Sequence, residues 1–127
     1  MADSVARTLK SFARKLTGKE SLNKNIPYRY LIKGKVQGVG YRKWTKKTGL
    51  YLGLDGFCRN RSDGTVEVVV SSPDKNSIKT FEKLLYQGPK KASVTGVEKK
   101  RYKKEVPPGF KIKKTKEIDP AKEVKGQ

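Results

Sequence analysis

From residue 26 onward, the hydrophobic pattern of the chain switches repeatedly between the period of a β-strand and that of an α-helix. The segment YRYLIKGKV alternates, with Tyr28, Tyr30 and Ile32 on one face and mainly basic residues on the other, which predicts a strand with one solvated face. The segment YRKWTKKTGLYLG then fits a helix that ends near Gly53. LDGFCRN and GTVEVVVS predict two further strands around a turn at 62–64.

The second half of this region shows the same switch. The segment SPD at 72–74 is typical of a helix start, and we expect Ser72 to be the N-cap with the proline in the first turn. Apolar residues recur at helical spacing after it until GP at 88–89 ends the helix. SVTGVEKKRYKK predicts a fourth strand that ends in a charged hairpin, and residues 109–113 predict a short fifth strand.

The resulting order, βαββαβ with one extra strand, predicts an α+β ferredoxin-like sandwich. Its sheet would have four to five mostly antiparallel strands with two helices on one face. A chain of 127 residues suits a single domain. We place this domain at 26–114, between a basic amphipathic extension at 1–25 and a polar tail at 115–127 whose composition predicts disorder. The fold by itself does not identify an activity.

The absence of histidine restricts the chemistry that this chain can perform. It excludes Ser-His-Asp and Cys-His catalysis and every histidine-containing zinc site. The single cysteine, Cys58, cannot form a disulfide within the chain or build a cysteine-cluster metal site. We therefore expect no metal and no cofactor, and any catalysis has to use Arg, Lys, Asn, Asp or Glu side chains and backbone N–H groups.

A formal net charge of +19 suggests contact with polyanions such as nucleic acid, an anionic membrane or acidic proteins. A broadly basic composition that only adjusts solubility explains the charge equally well, so both interpretations stay open. In either case small anions are drawn toward the surface.

The extension at 1–25 combines apolar residues at helical spacing with basic residues elsewhere on the helix; the apolar residues are Val5, Leu9, Phe12 and Leu16. This pattern suits a mitochondrial-type targeting peptide or a helix on an anionic membrane surface. An ordinary basic helix beside the domain fits as well. No apolar run approaches the length of a membrane span. We expect a cytoplasmic protein, with organelle targeting or peripheral membrane attachment through the extension as alternatives.

The segment VQGVGYR joins the first strand to the first helix, so its last N–H groups would be the unsatisfied donors of a helix N-terminus. Gly38 and Gly40 allow a close backbone approach to an anion, and Arg42 adds a guanidinium suited to phosphate oxygens. Short glycine turns before basic helices are common, however. On spacing alone, a plain turn is favoured over a phosphate site.

The segment GFCRNRSDGTV places Asn60 at the end of a strand, just before the turn. A turn asparagine that bonds to its own backbone is the simpler interpretation. An amide that positions a water molecule is the functional alternative.

The two segments GKVQGVGYR and GFCRNRSDGTV resemble the paired signature of the acylphosphatases, a family with the ferredoxin-like sandwich. LGLDGF and GPKKASVTGV are also similar to this family, so the resemblance extends from Ile26 to Lys114. It implies hydrolysis of the carboxyl–phosphate bond of acyl phosphates to a carboxylate and inorganic phosphate.

The resemblance also implies roles for individual residues. The loop whose backbone would cradle the phosphoryl group consists of Gln37, Gly38, Val39, Gly40, Tyr41 and Arg42. Arg42 would bind the phosphoryl oxygens and Asn60 would orient the attacking water. The substrate's own phosphate would accept the proton, which agrees with the absence of histidine. The partner implied is a small acyl phosphate, acted on without metal, and we expect a monomer.

A basic nucleic-acid-binding or membrane-surface module without catalysis is the alternative function. RNA readers with the same topology stack bases on aromatic residues of their central strands. The third predicted strand, GTVEVVVS, has no aromatic residue. Only nonspecific contact of lysines with phosphates then remains for this alternative.

Overall fold

The computed structural model describes residues 25–119, which form five strands and two helices. In chain order they are β1 (Tyr28–Lys35), α1 (Tyr41–Tyr51), β2 (Asp55–Asn60), β3 (Val66–Ser71), α2 (Lys75–Gln87), β4 (Ser93–Arg101) and β5 (Phe110–Ile112). The predicted extension lies outside the described residues, apart from residue 25.

The sheet has the strand order β4-β1-β3-β2-β5. Every neighbouring pair is antiparallel except β2 and β5, which are parallel. Both helices contribute to one core, in which Tyr30 and Ile32 of β1 pack with Tyr41 of α1 and with Phe81 and Leu85 of α2. The predicted ferredoxin-like α+β sandwich is confirmed.

The second helix begins two residues later than the interpretation of Ser72 as N-cap requires, and that prediction is wrong. Asp74 is the N-cap, and its Oδ1 accepts hydrogen bonds from the N–H of Asn76 at 2.7 Å and of Ser77 at 3.2 Å. Ser72 Oγ instead accepts from the N–H of Asp74 at 3.1 Å. Aspartate caps a helix as well as serine does, and local sequence leaves both choices open.

The predicted charged hairpin between the last two strands is also wrong, because β4 and β5 lie at opposite edges of the sheet. The chain crosses the molecule between them, and β5 joins the free edge of β2. Packing explains this placement. Phe110 of β5 is only 4% exposed. A Cβ added to Gly49 would lie 2.4 Å from its ring, and one added to Gly56 would lie 3.1 Å from it. Two glycines thus leave the space that the ring fills.

Residues 113–118 continue from β5 along the edge of β2. The N–H of Lys116 donates to the carbonyl oxygen of Asn60 at 2.9 Å, and the N–H of Ser62 donates to the carbonyl oxygen of Lys116 at 2.9 Å. The prediction of a disordered tail from residue 115 is therefore wrong for residues 115–118. Main-chain pairing of this kind needs no apolar side chains, so composition does not reveal it. Residues 120–127 lie outside the described part of the chain.

The face of the sheet away from the helices contains a buried carboxylate. Glu67 of β3 is 2% exposed and accepts hydrogen bonds from Arg29 Nε of β1 and, at 2.7 Å, from Arg59 Nε of β2. Burial acts to raise the pKa of Glu67, but the hydrogen bonds and charges of the two arginines outweigh it and hold this pKa below its usual value. The three charged residues thereby join the three central strands.

Candidate active site

The loop between β1 and α1 presents unsatisfied backbone donors. Gly38 and Gly40 adopt left-handed φ angles of 71° and 81°, which glycine reaches without steric cost. Gly40 is the N-cap of α1 and provides no side-chain hydrogen bond to the first-turn amides. The Cβ positions of both glycines meet no atom of the described residues within 4 Å. The first-turn N–H groups are therefore open to an anion, as at other helix N-termini.

A cavity of about 330 Å³ lies at this loop and is lined by Val36, Gly38, Gly40, Tyr41, Arg42, Lys43 and Ile112. Arg42 is half-buried in the first turn of α1, and this turn contains no acidic residue that could pair with its guanidinium. Its guanidinium is suited to two phosphate oxygens, and Lys43 adds a second positive charge. The cavity thus combines helix dipole, arginine and lysine, all of which favour a small anion.

A larger cavity of about 510 Å³ lies at the opposite end of the sheet, beside the start of β1 and of α2. The N-terminus of α2 is already satisfied there by the carboxylate of Asp74. Chemistry therefore favours the smaller cavity as the candidate active site.

Gln37 has a side chain that serves the neighbouring turn. Its Nε2 donates to the carbonyl oxygens of Arg61 and Thr65, both at 2.8 Å. These bonds attach the glycine loop to the connection between β2 and β3. Only the backbone of Gln37 remains for a ligand, and its side chain positions the loop.

Tyr41 and Val39 likewise direct their side chains into the protein. Tyr41 is 1% exposed and its hydroxyl donates to the carbonyl oxygen of Leu85 at 2.7 Å. Burial raises the pKa of this phenol well above its usual range, so it stays protonated. Val39 packs against the core. Of the six loop residues predicted, four line the cavity: Gly38 and Gly40, which are exposed, Arg42, which is half-buried, and Tyr41, which is buried.

Asn60 ends β2 and lies between two contacts that join this strand to the loop. Cys58, on the same face of β2, directs its Sγ toward the carbonyl oxygen of Arg42 at 3.5 Å. The carbonyl oxygen of Arg61, which follows Asn60 in the chain, accepts a hydrogen bond from the side-chain amide of Gln37. The structure therefore brings the ends of both sequence motifs together.

Asn60 is not among the residues that line the 330 Å³ cavity, but its side chain has an oxygen without a partner in the described part of the chain. Its Oδ1 is buried and has no hydrogen-bond partner among residues 25–119. A buried amide oxygen without a partner costs about 1–3 kcal/mol, so an acceptor in this state indicates a site for water or ligand.

The adjacent turn is held by Asp63 rather than by Asn60. Asp63 Oδ1 accepts from the N–H of Thr65 at 3.1 Å and from its hydroxyl at 2.6 Å, and Asp63 Oδ2 accepts from Arg61 Nη2 at 2.9 Å. The interpretation of Asn60 as the residue that bonds the turn is therefore not supported at its Oδ1.

Cys58 is not a candidate nucleophile. Burial raises the pKa of its thiol to about 12, although the charges of Arg42 and Lys46 act against this increase. The thiol is therefore protonated at neutral pH, and it packs in the core.

Three cavity residues were not predicted as site residues from sequence: Val36, Lys43 and Ile112, of which Val36 directly precedes the predicted loop. Lys43 follows Arg42 directly, so helical continuation from that residue could have indicated it. Ile112 reaches the cavity only because β5 pairs with β2, and no local signal predicts that pairing. Within residues 25–119 no group of three or more His, Cys, Asp or Glu side chains is arranged to hold a metal ion. No helix in this part of the chain is long and apolar enough to cross a membrane.

Both motifs lie within a region that matches a known family. The family model described as Acylphosphatase matches residues 28–112, more than half of the chain. The chain belongs to the acylphosphatase family. The resemblance expected from the two motifs is confirmed, and this acylphosphatase is by its family a hydrolase.

Similar proteins cover most of the described domain. An acylphosphatase of Thermus thermophilus is 50% identical over 68 residues, 54% of this chain and 76% of that protein. An acylphosphatase of Alkalilimnicola ehrlichii is 40% identical over 88 residues, 69% of this chain and 98% of that protein. The solved structure of an acylphosphatase from Coxiella burnetii superposes with a TM-score of 0.67 at 31% identity, covering 76% of this chain and 99% of that one.

Proposed function

We propose that this acylphosphatase hydrolyses small acyl phosphates with the phosphoryl group held by the loop Gln37–Arg42 and the attacking water oriented by Asn60. One observation carries this assignment. The buried, unpartnered Oδ1 of Asn60 lies at the end of β2, between Cys58 and Arg61, which both contact the loop that carries the open N–H groups and Arg42. Open N–H donors suited to a phosphate and an unpaired acceptor suited to a water molecule, attached to the same end of the sheet, support this proposal.

The loop binds the phosphoryl group through charge and backbone donors. First-turn N–H groups of α1 donate to its oxygens, with the N-terminal end of the helix dipole directed at them. Arg42 donates to two oxygens in a bidentate arrangement. These contacts stabilise the equatorial oxygens in the transition state of phosphoryl transfer, where most catalysis comes from positioning and electrostatics.

Asn60 accepts a hydrogen bond from the attacking water and thereby directs its oxygen toward phosphorus. The new O–P bond forms as the P–O bond to the acyl group breaks, and the carboxylate leaves with the electron pair. The proton of the water passes to a phosphate oxygen. No side-chain base is required, which suits a chain without histidine. We propose that the reaction proceeds without metal, because Arg42, Lys43 and the helix N-terminus supply the positive charge.

Hydrolysis of benzoyl phosphate in the presence of a chelator tests this proposal. We expect Arg42→Ala to lower kcat/KM by about 100-fold to 1,000-fold, as for other lost transition-state donors. Asn60→Ala should lower kcat by a similar factor and leave competitive inhibition by inorganic phosphate nearly unchanged. Lys47→Ala, which removes an exposed positive charge from the same helix, is the matched control and should match wild type. A wild-type rate no higher than that of Arg42→Ala would contradict the assignment.

We further propose a cytoplasmic monomer whose excess positive charge makes weak, salt-sensitive contacts with polyanions. The non-catalytic nucleic-acid alternative gains no support, because Phe57, on the face of the sheet without helices, is only 4% exposed and cannot stack on bases. The membrane role proposed for residues 1–25 is tested by co-sedimentation with anionic liposomes. Equal pelleting of the full chain and of a chain starting at Ile26 would exclude it.

A further inference from the structure

Asn60 lies beyond the reach of β5. That strand ends at Ile112, which pairs with Cys58, so the regular sheet stops before Asn60 on this side. The family model also ends at residue 112. Residues 113–118, which we call the strap, continue from β5 and cover the outer edge of β2 beside Asn60.

The strap makes a series of short hydrogen bonds to β2 and the following turn. Its N–H donors reach the carbonyl oxygens of Cys58 and Asn60 at 2.9 Å each, from Lys113 and Lys116 respectively. The carbonyl oxygen of Lys116 accepts from the N–H of Ser62 at 2.9 Å. Ile118 adds a bond of 2.8 Å from its N–H to Ser62 Oγ. The peptide group that follows Asn60 is thereby bonded to the strap, as are the carbonyl of Cys58 and the N–H of Ser62.

The same stretch of backbone is fixed from two other directions. Asn60 pairs with Val66 of β3 on its inner side. The amide of Gln37 bonds to the carbonyl oxygen of Arg61 from the side of the glycine loop. Strap, β3 and loop therefore fix the backbone that carries the Asn60 side chain. The strap is the part of this arrangement that lies outside the region matched by the family model.

We propose that Lys116 is a positioning residue for the hydrolysis, acting through its backbone N–H on Asn60. This inference rests on the proposed function, in which Asn60 orients the attacking water. The N–H of Lys116 holds the carbonyl that follows the Cα of Asn60, and this peptide plane sets the direction of the amide side chain. Without that bond, the strand end has a free edge and opens locally.

The expected effect is on turnover rather than on phosphate binding. The phosphoryl group is held by the loop, which the strap does not contact through these bonds. Small displacements of a group that positions a reactant reduce the rate by factors of up to about 100. We expect loss of the Lys116 N–H bond to lower kcat about tenfold, with the inhibition constant of inorganic phosphate within twofold of wild type.

Three variants of the full chain separate the backbone bond from other effects. Lys116→Pro removes the N–H donor, since proline has none. Lys116→Ala keeps the N–H donor and removes only the charged side chain, so its kcat should equal that of wild type. Glu117→Pro places the same imino acid one position later, at a residue whose N–H makes none of the strap bonds. It should retain the wild-type rate.

The measurements are kcat and KM for benzoyl phosphate, the inhibition constant of inorganic phosphate, and the circular dichroism of each variant. A fall in kcat confined to Lys116→Pro supports the inference. Wild-type turnover in Lys116→Pro overturns it, as does an equal fall in Lys116→Ala or in the control. A parallel rise in the phosphate inhibition constant also overturns it, because general damage to the site would then explain the loss.

A second variant and the activity of the wild type complete the test. If Lys116→Pro fails to fold, Ser62→Ala removes the bond from Ile118 that holds the strap beside Lys116. The looser strap weakens the bond from the Lys116 N–H to Asn60, so kcat should fall about twofold to fivefold with phosphate inhibition unchanged. An unaltered kcat in that variant overturns the inference. A wild-type protein without turnover contradicts the proposed function and this inference together, whereas an active wild type with unaffected strap variants contradicts this inference alone.

Discussion

Replacement of Gln37 by leucine tests whether the two sequence motifs are joined by a side chain. The substitution keeps a side chain of similar size and removes both donors to the carbonyl oxygens of Arg61 and Thr65, each at 2.8 Å. A hydrogen bond of this type stabilises a folded protein by about 1 kcal/mol, and a buried acceptor left without a partner costs about 1–3 kcal/mol. Arg61 is 2% exposed, so at least one carbonyl oxygen is left away from bulk water.

We therefore expect Gln37→Leu to lower the free energy of unfolding by about 2–3 kcal/mol, a large part of the 5–15 kcal/mol typical of a domain. Urea denaturation followed by the fluorescence of Trp44, the single tryptophan, measures this change. Lys35→Leu, at an exposed position close by, is the control and should differ from wild type by less than about 0.5 kcal/mol.

The same variant also reports on activity. The loop is no longer attached to the turn that follows Asn60, so kcat/KM for benzoyl phosphate should fall together with stability. A loss of stability below about 0.5 kcal/mol would refute the assigned hydrogen bonds. A destabilised variant with wild-type kcat/KM would refute the view that this attachment aligns the loop with Asn60.

Three further predictions concern stability and reactivity. Arg29 and Arg59 lower the pKa of Glu67, so the contribution of this carboxylate to stability is present above the pKa of the unfolded state and is lost as pH falls through the lower folded value. Urea midpoints measured between pH 3 and 7 should therefore depend less on pH in Glu67→Gln than in wild type. Equal pH dependence in the two proteins would contradict this prediction. The thiol of Cys58, with its pKa raised to about 12, should react with a thiol reagent at pH 8 only after unfolding in urea, whereas rapid labelling of the native protein would show that the thiol is accessible. Gly40→Ala should lower the free energy of unfolding by about 1–2 kcal/mol, because the φ of 81° at this position is unfavourable for alanine while no described atom obstructs the Cβ. An unchanged urea midpoint would show that the loop is not held in this conformation.

Local sequence patterns predict the helices, the strands and the two motifs. Alternation in β1 and the spacing of Ile78, Phe81 and Leu85 in α2 are local hydrophobic patterns, and the structure buries those three helix residues as the spacing predicts. The turn at Asp63 is equally local, because a short side chain bonds to backbone within two residues. Such signals are legible in sequence since each depends on neighbours along the chain.

Tertiary structure alone decided which distant segments meet around the candidate site. β5 lies beside β2 because Phe110 fits the space left by Gly49 and Gly56. The strap pairs with Asn60 through main-chain groups that every residue type carries, so its polar composition predicted disorder instead. The amide of Gln37 found its acceptors in a turn more than twenty residues away. Shape complementarity and backbone hydrogen bonding between remote segments leave no periodic trace in the sequence, which is why the motifs were visible and the contacts that hold them together were not.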